Sequence, residues 1–412
     1  MNPVLKRILL IIALLVVAAL IGFGLYTLFK KATTPTVPSA EITPEQAGQL
    51  PGAGERIMTT TAEKREGGQL ERGVETAPLP IPQVTPGGYF QAAPVNKLTS
   101  DFVTYPGFSQ AGNMRYYNSA DGKFYRLTSD GQIKSLSDQT FYNVSNATWA
   151  SKNDKAVLEY PDGSKIVYDF EKQKQTTLPK HWQEFSFSPD GAQIAAKSIG
   201  LSPENRWLVT VNDDGSGTTL VEPMGNNADK VQIDWSPSRQ TVAFSQTGEA
   251  LGGERREVLF VGLHGENFKS TVVEGLGFQP QWSPTGQKLL YSVYSTRSDF
   301  KPELWITDSY GDSIGNNRQM LKLNTWADKC TFAGDSTLFC AVPRDLPQGA
   351  GIMPEVATYN NDDMYKIDLK TGLKTNVSLG GDYSIKNINY DQAKNKVFFT
   401  DTLQNGVFEI KL

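Results

Sequence analysis

An aromatic residue followed by a polar turn and an apolar strand recurs seven times along this 412-residue chain. The seven positions lie 38 to 58 residues apart and are Phe108, Trp149, Phe187, Trp235, Trp282, Phe332 and Tyr390. Four short strands with their turns need about 40 to 50 residues, which is the period of a propeller blade rather than of a helical array. The repeat therefore predicts an all-β fold over residues 95–412: a seven-bladed β-propeller of four-stranded antiparallel blades.

The turn that follows the aromatic residue has its own chemical signature. The clearest copies are Ser188-Pro189-Asp190-Gly191, Ser236-Pro237-Ser238-Arg239 and Ser283-Pro284-Thr285-Gly286. Ser at the first position, Pro at the second and Gly at the fourth favour a type I turn, because Pro presets φ and Gly tolerates the exit conformation. Each turn is thus predicted to join the first two strands of a blade.

The last repeat ends one strand short, with strands expected near Ile388, at 396–400 and at 407–412. A ring left open there would expose an unpaired strand edge. The segment Asn96–Ser100, ahead of the first repeat, has the composition of an outer strand. We predict that it completes the seventh blade and closes the ring.

These repeats resemble the WD-repeat-like propellers of the TolB family and of the N-terminal domain of dipeptidyl peptidases. The best copy is 282–312, in which Ser295-Thr296-Arg297-Ser298-Asp299 precedes Glu303-Leu304-Trp305-Ile306-Thr307-Asp308. The resemblance implies a propeller fold and, for TolB-type relatives, binding of protein partners at one mouth of the propeller. The peptidases join the propeller to an α/β-hydrolase domain, which is not expected here because the repeats continue to Leu412. Folds of this kind host many activities, so function needs separate arguments.

Residues 8–29 contain no charge and are mostly Ile, Leu, Val and Ala. At helical rise they span a hydrocarbon core of roughly 30 Å, which predicts a transmembrane helix. A cleaved signal peptide is the alternative, but its apolar region is typically about 7 to 15 residues long and precedes a small-residue cleavage site. We expect residues 1–7 to be a short cytoplasmic tail and the C-terminal domain to lie outside the cytoplasm, in the cell envelope.

Residues 30–94 are rich in Pro, Thr and Gly and poor in aromatics, which favours a flexible, disordered linker. The formal net charge of the whole chain is −4. Because a nucleic-acid partner needs a clustered basic face, we expect none.

Cys330 and Cys340 are the two cysteines of the chain and flank the hairpin of the sixth repeat. Aligned positions in other repeats are apolar and face one another across two strands. Two buried thiols and a disulfide are both compatible with that placement, and an oxidising compartment would favour the disulfide.

The sequence contains few candidates for catalysis or metal binding. Gly311-Asp312-Ser313-Ile314-Gly315 matches the G-x-S-x-G pattern of serine hydrolases, but it falls in a strand-to-strand turn. The chain's histidines, His181 and His264, belong to different repeats and lack neighbouring ligands at metal spacing. We therefore predict no catalytic residues, no metal and no cofactor.

Long connections between the second and third strands are the better binding candidates, since loops carry binding on a rigid scaffold. Four successive connections contain Arg206, Arg256, Arg297 and Arg344, which could grip carboxylates or phosphates. The alternative is structural pairing with the neighbouring acids, which are Glu204, Glu254, Asp299 and Asp345. Residues 347–359, with Met353 and Tyr359, are irregular and moderately apolar, and are interpreted either as a docking loop or as a cap on the channel.

Three functions remain at this point. The preferred one is a membrane-anchored, non-enzymatic scaffold that binds an envelope protein. The second is a surface sensor or binding protein for an anionic glycan or peptide, held by the arginines. The weakest is a propeller-type hydrolase or lyase.

Overall fold

The structure is a computed structural model that describes residues 95–109, 112–128, 130–266 and 268–412, together with Phe23. Apart from Phe23, the predicted cytoplasmic tail, membrane helix and linker lie outside these residues. No helix in the described part of the chain has the length and apolar character needed to cross a bilayer.

The described residues form seven antiparallel sheets arranged as the blades of a propeller. The chain starts with β1 (Val95–Lys97), which belongs to the last blade. Blade 1 contains β2 (Val103–Phe108), β3 (Met114–Asn118), β4 (Lys123–Leu127) and β5 (Ile133–Ser135). Blade 2 contains β6 (Asn146–Trp149), β7 (Lys155–Glu159), β8 (Lys165–Asp169) and β9 (Lys174–Leu178). Blade 3 contains β10 (Trp182–Phe187), β11 (Gln193–Ile199), β12 (Arg206–Asn212) and β13 (Thr219–Pro223).

The remaining four blades follow in the same order along the chain. Blade 4 contains β14 (Val231–Ile233), β15 (Ala243–Ser245), β16 (Ala250–Gly252), β17 (Arg255–Val261) and β18 (Thr271–Val273). Blade 5 contains β19 (Leu276–Trp282), β20 (Lys288–Tyr294), β21 (Pro302–Asp308) and β22 (Gln319–Met320). Blade 6 contains β23 (Cys330–Phe332), β24 (Thr337–Pro343), β25 (Asp362–Asp368) and β26 (Lys374–Val377). Blade 7 contains β27 (Ile385–Asp391), β28 (Lys396–Asp401) and β29 (Val407–Lys411), and β1 is its fourth strand.

Blade 4 has five strands because its second strand is split. Both β15 and β16 pair with β17, at Val261 and at Arg256 respectively, while β18 pairs with the other edge of β17. The interruption at residues 246–249 ends in a hairpin whose Gly252 and Gly253 have positive φ. The two parts of the split strand occupy one position in the blade, so blade 4 keeps the order of four strand positions seen in the other blades.

The ring closes as the sequence predicts. Val95 pairs with Ile410 and Lys97 with Phe408, and Leu98 donates its backbone N–H to the carbonyl of Val407 at 2.8 Å. The first strand of the described chain thus covers the edge of β29. This confirms the prediction that a segment before the first repeat completes the seventh blade.

Short 3-10 helices occur in the connections of the described residues. They are Pro203–Asn205, Gly225–Lys230, Thr296–Ser298, Gly311–Ser313, Ala327–Lys329 and Pro354–Ala357. The last two, Ala327–Lys329 and Pro354–Ala357, lie on either side of the β23–β24 hairpin in the sequence.

The first strands of neighbouring blades contact one another; for example, β6 contacts both β2 and β10. The first strands are therefore the innermost strands of the ring. Since each blade is antiparallel, its connections alternate between two faces. The connections between second and third strands, and those between blades, emerge on one face, which we call the long-loop face. The connections between first and second and between third and fourth strands emerge on the opposite face, the short-turn face.

The apolar core lies between adjacent blades. Val157 and Val167 of blade 2 pack with Ile194 and Val209 of blade 3, and all four are buried. The recurring aromatic residues belong to these clusters: the Trp282 ring stacks on that of Phe244 in the preceding blade, with centroids 5.0 Å apart. At about 25 cal/mol per Å² of apolar surface removed from water, such contacts are the main stabilising term of the fold. The repeated aromatics therefore lie in the core or pack against it.

The Ser-Pro turns have the geometry that their sequence predicts. Gly191 donates its N–H to the carbonyl of Ser188 at 2.8 Å and has φ of 71°. Gly286 has the same φ and donates to Ser283 at 2.9 Å. In blade 4 the equivalent residue is Arg239, which adopts φ of 66° although it carries a side chain. That conformation costs most L-residues free energy, so this turn is strained relative to its two counterparts.

Candidate interaction surface on the long-loop face

The longest connection of the described residues joins β24 to β25 and covers residues 344–361. Its backbone is tied to the neighbouring blade: Gly349 and Gly351 donate their N–H groups to the carbonyls of Asp299 and Phe300, at 2.9 and 2.7 Å. On its other side, the Ser384 hydroxyl donates to the carbonyl of Thr358 at 2.7 Å. The loop is thus held from blades 5 and 7 as well as from its own blade.

A small apolar cluster fixes the loop from below. It consists of Trp326, Leu346, Ala350 and Ala357, all of them buried. With these residues filling the space under the loop, the remaining apolar side chains point outward. Four of them are exposed to solvent: Ile352 by 53%, Met353 by 59%, Val356 by 46% and Tyr359 by 70%. We call these four residues the apolar tetrad.

The tetrad is part of a wider asymmetry between the two faces. In the described residues, large apolar side chains are exposed in several connections of the long-loop face: Phe102, Tyr142, Leu201, Leu403 and the tetrad. The corresponding residues in connections of the short-turn face are Tyr310 and Leu373. Scattered exposed apolar residues are normal on a protein surface, whereas a cluster on one rigid loop is typical of an interaction site.

The four candidate arginines all lie at the long-loop end of blades 3 to 6. Arg344 binds two carboxylates, with Nε 2.7 Å from Asp363 and Nη1 2.6 Å from Asp382. The hydrogen bond to Asp363, followed by that to Asp382, raises the pKa of the Arg344 guanidinium. Arg297 binds Glu303 at 2.7 Å and lies over the ring of Trp305.

The other two arginines make hydrogen bonds to uncharged oxygens. Arg206 donates to the carbonyls of Gly200 and Leu201 at 3.2 and 3.3 Å, and Arg256 donates to the side-chain oxygen of Gln246 at 3.2 Å. Arg206 is the first residue of β12 and Arg256 lies in β17, so these two arginines lie in strands rather than in the predicted connections.

The acids that sequence proximity suggested as partners are engaged elsewhere or differ from those observed. Glu254 accepts hydrogen bonds from the backbone N–H and hydroxyl of Thr296, at 2.8 and 2.9 Å, and so connects blades 4 and 5. For Arg297 the partner is Glu303 instead of Asp299, because β21 carries Glu303 back beside the loop. For Arg344 the partners are Asp363 and Asp382 instead of Asp345.

Cys330 and Cys340 lie directly opposite each other in the register of β23 and β24. Both are fully buried, and they form a disulfide. Cys330 follows the 3-10 helix Ala327–Lys329, and β24 leads into the 344–361 loop. The cysteine pair therefore braces the two strands that carry the candidate surface.

The remaining sequence candidates lie outside the 344–361 loop. Ser313 lies in the 3-10 helix Gly311–Ser313 on the short-turn face, between β21 and β22, and its hydroxyl donates to the carbonyl of Tyr310 at 2.6 Å. His181 is exposed and contacts the hydroxyl of Ser198 at 3.2 Å. Within the part of the chain that the structure describes, His, Cys, Asp and Glu form no group that could hold a metal ion.

Several residues of interest carry no distinctive sequence signal. Asp234, at the inner end of blade 4, is half-buried, and desolvation raises its pKa to about 7, which the nearby indole of Trp282 partly opposes. Asp328 and Lys386 come together only because blades 6 and 7 are adjacent. Ile352 and Val356 could have been found, since an apolar pair in an aperiodic Gly- and Pro-containing segment is itself unusual.

Comparison with known proteins adds information on the fold. No protein-family model matches the chain, and no curated protein matches it either. Among solved structures, the β-propeller domain of Cps50 (Swd1) from Myceliophteria thermophila is similar with a TM-score of 0.50 and 12% identity, over 77% of this chain and 99% of that one. The likeness is one of fold.

Two further solved structures match a comparable share of this chain. The oligogalacturonate lyase of Vibrio parahaemolyticus has a TM-score of 0.48 and 12% identity, covering 77% of this chain and 93% of that one. The tricorn protease has a TM-score of 0.48 and 10% identity, covering 79% of this chain but 35% of that one. At these values neither enzyme informs the activity of this chain.

Proposed function

We propose that this chain is a membrane-anchored scaffold, whose propeller lies outside the cytoplasm and binds a protein partner of the cell envelope without catalysing a reaction. The observation that carries the proposal is the apolar tetrad on a loop whose backbone groups are hydrogen-bonded to both neighbouring blades. A rigid surface loses little conformational entropy on association, which favours specific binding. Aromatic and Met side chains are also enriched at the centres of protein interfaces.

The direction of β1 is consistent with a tetrad that is free to bind a partner. Val95 pairs with Ile410, near the end of β29 that faces the short turns, so the chain enters the propeller from the short-turn side. The segment that precedes Val95 would therefore join the propeller at its short-turn end, opposite the tetrad. The tetrad would remain accessible to a partner.

The proposal is tested by a pull-down from detergent-solubilised native membranes with three forms of the full-length chain. These are the wild type, a variant with Ile352, Met353, Val356 and Tyr359 changed to Ser, and a control with Tyr310 and Leu373 changed to Ser. We expect one envelope protein to be enriched by the wild type and the control. Titration of that purified protein should show an affinity loss of about 30-fold or more in the tetrad variant, as expected when interface anchors are removed.

Equal affinity of the tetrad variant and the control for the captured protein would contradict the proposal. Circular dichroism and thermal melting of the three forms should agree, because the exposed side chains contribute little to folding.

Binding of an anionic glycan or peptide is the second candidate, since Arg206 and Arg256 donate to uncharged oxygens rather than to carboxylates among the described residues. Substitution of Arg206, Arg256, Arg297 and Arg344 by Gln separates the two functions. If the scaffold proposal is right, capture of the protein partner survives this change. If capture fails and a glycan array shows arginine-dependent binding, the second function replaces the first.

A further inference from the structure

A cavity of about 280 Å³ opens beside the apolar tetrad, under the 3-10 helix Pro354–Ala357 and between blades 5, 6 and 7. Its lining includes Trp326, Asp328, Lys329, Glu355 and Lys386. Pockets that enclose a whole small molecule usually measure about 300 to 1,000 Å³. This one is at the lower limit of that range and is better matched to a single long side chain.

One of the cavity's cations is already neutralised. The Lys329 ammonium lies 2.8 and 2.9 Å from the two carboxylate oxygens of Asp362, which is fully buried. Asp362 also accepts the backbone N–H of Ile385 at 2.7 Å. This pair closes the wall of the cavity and leaves no net charge there.

The other charged groups are two carboxyls and one ammonium: Asp328, Glu355 and Lys386. In the described part of the chain, the side chains of Glu355 and Lys386 form no hydrogen bond or salt bridge. Asp328, Glu355 and Lys386 are all exposed to solvent. The cavity thus has an excess of one carboxyl, and its carboxyls are accessible to an incoming cation.

We propose that this cavity receives a Lys or Arg side chain from an extended segment of the protein partner, while apolar residues flanking that side chain pack on the tetrad. The inference rests on the proposed function and specifies its ligand. A cation entering the cavity would meet two carboxyls and the wall formed by Trp326, and aromatic rings attract cations. A carboxylate would instead add a third acid to a site with one free ammonium. An uncharged side chain would leave the excess carboxyl without a cation and would gain no charge-assisted hydrogen bond from it.

Panning of a phage-displayed library of random dodecapeptides against the full-length chain in detergent tests the proposal. We expect enriched peptides to share a Lys or Arg flanked by apolar residues and to lose binding to the tetrad-to-Ser variant. In a synthetic copy with capped ends, replacement of the cationic residue by Gln should weaken binding about tenfold, the usual cost of a hydrogen bond to a charged group.

Two substitutions in the protein give opposite expected signs. Glu355→Gln, which removes a carboxyl at nearly constant volume, should weaken the cationic peptide about threefold to tenfold. Lys386→Gln removes the competing ammonium and should tighten binding of the same peptide. The Gln-substituted peptide is the matched control, and its affinity should change little with either variant. Thermal melting of both variants verifies that they remain folded.

The possible failures are distinct. Enriched peptides that depend on the tetrad but carry an acidic residue, or no conserved charge, would overturn the cation proposal and leave the scaffold function standing. Weaker binding of the cationic peptide to the Lys386→Gln variant would also overturn it. If no enriched peptide depends on the tetrad, the scaffold function fails and this inference fails with it.

Discussion

The two faces of the propeller are built by the same repeat and yet use their polar and apolar groups in opposite ways. On the short-turn face, side chains of the Ser-Pro turns bond from blade to blade: Arg239 binds Asp190 at 2.6 Å, and the Thr285 hydroxyl donates to Asp335 at 2.6 Å. On the long-loop face, the 344–361 loop is held through its backbone, through a small buried cluster and through the ion pairs of Arg344. The apolar tetrad takes no part in holding it.

This difference follows from loop length. A four-residue turn has no room for an anchor of its own, so its polar side chains are used to join blades. An 18-residue connection can supply both a buried anchor and an exposed surface. Removal of the exposed side chains of the long-loop face should therefore cost little stability. Removal of the buried groups beneath the 344–361 loop, which we call its foundation, should cost much more.

The largest effect is expected at that foundation. Asp362→Ala removes the buried partner of the Lys329 ammonium and of the Ile385 N–H, which leaves an uncompensated charge. We expect the free energy of unfolding, measured by urea denaturation of the full-length chain, to fall by about 3 kcal/mol. The neighbouring Asp363→Ala breaks the exposed ion pair with Arg344 and should cost below about 1 kcal/mol. Similar losses in the two variants would contradict the distinction between foundation and surface.

A smaller, pH-dependent effect is expected at Asp234, near the short-turn end of blade 4. Burial raises the pKa of this carboxyl from 3.8 to about 7 in the folded state, so the native protein binds the proton more tightly than the unfolded chain does. By linkage, this contribution to stability is present at low pH and is lost as the pH rises from about 4 through about 7. In an Asp234→Asn variant the side chain cannot ionise, so this dependence of the unfolding free energy on pH is lost.

The measurement is the change in unfolding free energy between pH 5 and pH 8. Relative to wild type, Asp234→Asn should gain about 1–2 kcal/mol over this interval, less than the full shift because the side chain is only half-buried. Asp190→Asn is the control: the Ser188 hydrogen bond lowers the pKa of Asp190, so its ionisation is complete in both states over this interval. A gain of the same size in both variants would show that the effect does not come from burial of Asp234.

The smallest effect tests the turns themselves. Arg239 occupies, at φ of 66°, the position that is glycine in the turns of blades 3 and 5. Arg239→Gly should raise the unfolding free energy by about 0.5–1 kcal/mol, because relief of the left-handed backbone outweighs an exposed ion pair worth little. The converse change, Gly286→Ala, brings a Cβ to 2.8 Å from the backbone nitrogen of Ser238 and should destabilise. Destabilisation by both changes would mean that the Arg239–Asp190 contact is more important than the strain.

The sequence predicted the fold in unusual detail because a propeller repeats one local solution. The period of the aromatic residues indicated seven blades, and the Ser-Pro turns located the first hairpin of several blades. The unpaired edge expected after Val407–Lys411 led to the strand around Val95 that covers it. The split second strand of blade 4 was not predicted, since residues 246–249 interrupt pairing without a clear sequence signal.

The candidate site was predicted only in part. Aperiodic, apolar residues 347–359 indicated a surface loop, and Met353 and Tyr359 are exposed there. Which of its apolar residues would be buried could not be read from the chain, because Leu346, Ala350 and Ala357 are covered by Trp326, which comes from another connection. Likewise, the arginines were recognised by their positions, but their partners depend on which strand returns beside each loop.

The sequence by itself determined the number of blades, the turns that join their first strands, the closing strand and the opposition of Cys330 and Cys340. The blades, the turns and the cysteine positions follow from the repeat and its local pattern, and the closing strand follows from the edge that a ring one strand short would leave unpaired. Only the tertiary structure decided the tetrad's exposure, the pairing of Lys329 with Asp362 and the cavity between blades 5 to 7. Those features arise where distant segments meet, and burial and charge there depend on neighbours that no local pattern specifies.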